Sequence, residues 1–130
     1  MRVKLYLSLM FLLAYATVRA QVSVTFPPAR IVFQRNPSGN ANVFVNGTFT
    51  GSQVHHVEAR LKTRGGEPGN AVDWTTIASD LTGGVFGGFL TSAGGRFDLE
   101  VRAMNSGNQQ VGGSVTVEKV GVGEVFLIVG

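Results

Sequence analysis

Gly95 to Ala103 reads GRFDLEVRA, and it decides the fold. Phe97, Leu99, Val101 and Ala103 alternate with Asp98, Glu100 and Arg102. A period of two puts the apolar set on one side of an extended chain and the charged set on the other, as in a half-buried antiparallel strand. Upstream, Val57, Ala59 and Leu61 oppose Glu58, Arg60 and Lys62 in the same way. No window of the chain sustains a helical period, and no internal repeat is visible.

Working outward from these two stretches, the punctuation is that of short strands and turns. Val22, Val24 and Phe26 alternate with polar residues until Pro27-Pro28 ends the run. Ile31 to Phe33 is a short second run, closed by the turn signal Asn36-Pro37-Ser38-Gly39. Val43 to Thr50 predicts one strand with a bulge at Gly47, because a hairpin at Asn46-Gly47 would leave arms too short to pair. Thr63 to Asn70 is a polar loop, and Trp74 to Ile77 a short strand. Glycine pairs at 83–84, 87–88 and 94–95 bracket a strand over Phe86 to Leu90. Asn105 to Gln110 turns the chain into Val111 to Val120. About seven short strands predict an all-β fold: an immunoglobulin or fibronectin III-like antiparallel β-sandwich.

The first 20 residues read as an address. A basic start (Arg2, Lys4), the apolar run Leu5 to Val18 and the triplet Val18-Arg19-Ala20 predict a signal peptide cleaved after Ala20. Arg19 closes the apolar run before the roughly 20 residues a membrane span needs, so no span is expected in the mature chain. The protein is therefore expected to be secreted or periplasmic. The absence of cysteine excludes a disulfide scaffold and a cysteine nucleophile, and in an exported chain it points to a bacterial source.

The formal charge of +3 belongs to the leader. Removing Arg2, Lys4 and Arg19 from 11 basic residues leaves 8, against 8 acidic ones. The pI near 9.8 is thus no argument for nucleic acid. All 18 glycines lie after residue 20, a richness that disfavours long helices.

The chain holds no set of residues for catalysis. Its only histidines are His55 and His56, which a strand would send to opposite faces, and which read as a loop or strand-edge pair at the surface. No Gly-x-Ser-x-Gly elbow, nucleotide loop or metal-ligand spacing occurs, so no catalytic residue, cofactor or metal is expected. Asn46-Gly47-Thr48 matches a glycosylation sequon but reads as part of the bulge. Trp74 is either core or a platform for stacking a sugar, with Asp73 and Thr75 beside it to bond hydroxyls. Arg60, Arg64 and Arg102 have the geometry to grip a carboxylate, yet Glu58 and Glu100 are placed to balance them on a solvated face.

Glu124 to Gly130, EVFLIVG, breaks the pattern. Its consecutive apolar residues imply burial on both faces. They fit either the first strand of a further α/β domain or a closing strand of the sandwich.

VEKVGVGEVFLIVG (Val117 to Gly130) resembles the junction in secreted bacterial carbohydrate esterases of the sialate O-acetylesterase group, where a β-sandwich precedes an SGNH-type hydrolase domain. VEARLKTR (Val57 to Arg64), DWTTIAS (Asp73 to Ser79) and GRFDLEVRA are similar to parts of that sandwich. In the group, the strand resembling GEVFLIVG runs into Gln-Ser-Asn, whose serine is the nucleophile. The resemblance therefore implies a non-catalytic accessory domain over 21–120, and a junction with the first hydrolase strand over 121–130. The hydrolase domain of the same polypeptide would be the partner. Departures are that the nucleophile is not within this sequence, and that Phe97 stands where the family often has Tyr. The alternative is a free-standing carbohydrate- or surface-binding module.

Overall fold

A computed structural model describes residues 20–129. The expected signal peptide, apart from Ala20, lies outside the described residues. Eight strands form: β1 (Gln21–Phe26), β2 (Val32–Gln34), β3 (Ala41–Thr50), β4 (His56–Thr63), β5 (Val72–Ala78), β6 (Val85–Ser92), β7 (Gly95–Met104) and β8 (Gln110–Gly123). They make a three-stranded sheet, β1-β3-β6, and a five-stranded sheet, β2-β8-β7-β4-β5. Every pairing is antiparallel except that of β2 with β8, which is parallel. The fold is an all-β sandwich. Among the described residues no helix is long and apolar enough to cross a membrane.

Alternation assigns the inner faces. On the five-stranded sheet Val57, Ala59, Leu61, Phe97, Leu99, Val101 and Ala103 are all at most 1% exposed. The β4–β7 register sets Leu61 opposite Leu99 and Ala59 opposite Val101, so the apolar residues meet in rungs. The three-stranded sheet supplies Val22, Val43, Val45, Phe86 and Leu90 to the same core. Burying each of the larger of these side chains contributes about 1.5–3 kcal/mol. The turns follow the expected chemistry. Asn36 Oδ1 accepts the N–H groups of Ser38 and Asn40, and Asn105 Oδ1 accepts those of Gly107 and Gln109.

Three expectations are corrected. First, β3 runs straight through Gly47, and the extra residue lies across from it in β1, between Val24 and Phe26. Gly47 is needed for another reason. A Cβ there would sit 2.0 Å from the Ser23 carbonyl oxygen and 2.5 Å from the Phe86 ring. Second, the core is not complete before Gly121. β8 continues to Gly123, Val120 and Val122 are 0% and 5% exposed, and β2 pairs with Gly121 to Gly123. A bulge between Val117 and Val120, with Lys119 at φ +61°, keeps the late residues of β8 facing inward. Third, Val125 to Val129, expected as an orphan first strand of a further domain or else as a closing strand of the sandwich, forms neither strand here. Residues 124–129 form no strand, and Phe126, Leu127, Ile128 and Val129 are 82–91% exposed. Arg35 ties down the start of this segment. Its guanidinium meets Glu124 at 2.9 Å, and its N–H donates to the Gly123 carbonyl.

Candidate functional site

The outer face of the five-stranded sheet carries the residues singled out in the sequence. The β4–β7 register places Glu58 opposite Arg102, Arg60 opposite Glu100, and Lys62 opposite Asp98. Each rung therefore joins opposite charges. Arg60 donates from both Nε and Nη2 to Glu100 Oε2, at 3.0 and 2.7 Å. Arg102 holds both contacts with Glu58 Oε1, at 2.9 and 2.7 Å. Arg64 pairs with Asp98. The two rungs run their charges in opposite senses, so Glu58, Arg60, Glu100 and Arg102 alternate in sign around a square.

Trp74 lies against that square. β5 is an edge strand beside β4, and the Trp74 ring reaches over its neighbours. The Arg102 guanidinium carbon is 3.9 Å from the ring centroid and that of Arg60 is 4.6 Å away. Contacts of this kind contribute about 0.5–1 kcal/mol each at exposed sites. Trp74 is half-buried and stands outside the core cluster. Asp73 Oδ1 accepts the Trp74 backbone N–H at 2.7 Å, and the Thr75 hydroxyl donates to the Asp73 carbonyl at 2.8 Å. Both polar groups are thus engaged with their own strand, while the guanidiniums lie over the indole.

The histidines depart from the expected surface pair on opposite faces. His56 opens β4 and is only 7% exposed, whereas His55 precedes the strand and escapes its alternation. The two Nδ1 atoms are 2.9 Å apart and the rings are perpendicular, with centroids at 5.2 Å. One Nδ1 therefore carries the proton and the other accepts it. His56 Nε2 is 4.0 Å from Glu58, which joins the pair loosely to the charged face. Among the described residues no group of three or more His, Asp or Glu is placed to hold a metal.

One feature escaped the sequence reading. Phe44 and Phe89 face each other on the outside of the three-stranded sheet, each 50% exposed. The available signal was that Phe44 sits between Val43 and Val45, so it points away from the face those valines bury. No protein-family profile matches the chain, and no curated protein is significantly similar to it.

Proposed function

We propose that the sandwich is a fibronectin III-like accessory domain of an exported bacterial carbohydrate esterase of the sialate O-acetylesterase type, lying directly before an SGNH-type hydrolase domain. One observation carries the reading. Val125 to Val129 leaves the sandwich as an apolar segment 50–91% exposed. Residues of this kind in water cost the free energy that burial would return, about 25 cal/mol per Å². A covering layer outside the sandwich would return that free energy, and the resemblance of GEVFLIVG to the first hydrolase strand is what suggests a hydrolase domain as that layer.

The other parts fit this role. The leader, 1–20, would export the protein to the periplasm or beyond. The mature part, with 8 basic and 8 acidic residues, gives no net-charge case for nucleic acid. His55 and His56 bond each other rather than a serine. In this reading the nucleophile would follow the junction. The strand order β1-β3-β6 against β2-β8-β7-β4-β5 supports the fibronectin III-like reading within the sandwich class.

The test is the reading frame downstream of Gly130, followed by assay of its product. The expected result is continuation into Gln-Ser-Asn, with aryl-acetate hydrolysis that disappears when that serine becomes alanine. A stop codon directly after Gly130 would overturn the reading.

The second reading is a free-standing module that binds glycans or surfaces. It is favoured by the placement of Trp74 outside the core. Against it, Arg60 and Arg102, each held by a carboxylate, already lie over the indole.

A further inference from the structure

The outer face of the three-stranded sheet holds a groove whose chemistry points to a ligand of its own. Phe44 and Phe89 are opposite one another in the β3–β6 ladder, with centroids 5.8 Å apart and planes inclined by 59°. On the rungs to either side, Asn42 faces Thr91 and Asn46 faces Gly87. The Thr91 hydroxyl donates to Asn42 Oδ1 at 3.0 Å, which orients that amide and leaves its NH₂ group as the donor. Beside the rings runs an open groove of about 520 Å³, bounded by Phe44, Phe89, Asn46, Thr76 and Ile77.

Glycine makes the groove. A Cβ at Gly88 would lie 2.0 Å from the Ile77 carbonyl oxygen, and one at Gly87 would lie 2.7 Å from Asn46 Oδ1. A side chain at either position would force β5 and β6 apart or fill the space beside the rings. No charged residue lines the groove or occupies the outward rungs of β3 and β6.

We propose that this groove binds a neutral glycan chain. Phenyl faces offer the stacking surface that sugar C–H faces take, and the amide and hydroxyl side chains between them match sugar hydroxyls. The absence of charge makes the face complementary to a neutral chain and gives an acidic glycan or a nucleic acid no counter-charge. A dry protein partner would strand the Asn and Thr groups that alternate with the rings, at about 1–3 kcal/mol for each unsatisfied group. A sugar brings a hydroxyl to each. This inference needs no second domain and stands whether or not the esterase reading does.

The test is affinity electrophoresis of the exported chain in gels containing hydroxyethyl cellulose, xylan or galactomannan, with polygalacturonate as the acidic counterpart. Retardation is expected in at least one neutral gel and not in polygalacturonate. Phe44→Ala and Phe89→Ala should each weaken it roughly tenfold, as befits loss of one aromatic contact. Asn46→Asp, which keeps the shape and removes two donors, should weaken it without changing the melting temperature. Trp74→Ala should leave it unchanged. No retardation in any neutral gel would overturn the proposal. So would retardation insensitive to all three groove variants, or equal retardation by polygalacturonate. Self-association abolished by Phe44→Ala, without glycan retardation, would assign the face to a second copy of the chain instead.

Discussion

The two sheets bury the same kind of residue and present opposite kinds to water. On the inner faces, Val43 and Val45 of one sheet and Ala59, Leu61, Leu99 and Val101 of the other are interchangeable in chemistry. On the outer faces, β4 and β7 carry Glu58, Arg60, Lys62, Asp98, Glu100 and Arg102, whereas β3 and β6 carry Asn42, Phe44, Asn46, Val85, Phe89 and Thr91. The charged face satisfies itself, since each cation in its central rungs has a carboxylate opposite. The neutral face leaves Phe44, Phe89 and Val85 at least half exposed with nothing over them. A charge-free exposed sheet face invites association. Burial therefore explains where side chains point, but an outward residue is explained only by what it faces.

The comparison can be broken first at what the sheets share. Phe97 is fully buried, so Phe97→Ala should cost about 3–5 kcal/mol, a large part of the stability of so small a domain. Urea titration would measure it, and a loss below about 1 kcal/mol would mean the core is not the common support of both faces.

The next effect concerns the end of the five-stranded sheet. A chain ending after Lys119 loses buried Val120 and Val122 and the whole partner of β2. Two valines alone account for roughly 3 kcal/mol. A chain ending after Glu124 keeps all of this, together with the Arg35 pair, and sheds only exposed residues. The shorter protein should unfold at clearly lower urea. The longer one should melt as the full chain does and associate less by gel filtration. Equal stability of the two truncations would put the sandwich boundary before Val120.

Smaller effects sharpen the contrast between the outer faces. Trp74→Ala removes two cation–π contacts and should cost about 1–2 kcal/mol, well below the cost of a core tryptophan. Arg102→Ala frees both Glu58 and one side of the indole, so a similar loss is expected, with a red shift of tryptophan emission as water reaches the ring. A fully core-sized penalty at Trp74 would show that the ring supports more than its own face. The smallest effect belongs to the neutral face. Phe44→Ala, at a half-exposed site, should change stability by about 0.5–1 kcal/mol or less, because the residue supports binding rather than folding. A loss as large as that of Phe97→Ala would make the ring pair structural and remove the contrast.

Much of the fold was legible because a strand announces itself locally. The alternations at 57–62 and 97–103 identify buried and exposed sides with no knowledge of partners, and the Asn36 and Asn105 turns are closed by bonds to their own neighbours. The bulge opposite Gly47 was not legible, because it depends on how β1 and β3 pair rather than on either strand alone. Trp74 could be read as core or platform, since an edge strand beside two arginines leaves no mark in the residues around it. The histidines were misplaced because alternation was applied one residue before the strand begins.

By itself, then, the sequence determined that the chain is all-β, which residues line its core, and which charges stand opposite the core side on β4 and β7. These follow from the two-residue period of an extended backbone, a property of neighbours along the chain. Only the tertiary structure decided that Val122 belongs to the sandwich, that Arg60 and Arg102 close over Trp74, and that Phe44 meets Phe89 beside a glycine-floored groove. Each of these is a contact between strands distant in sequence. Its existence depends on register and sheet order, which no local pattern encodes.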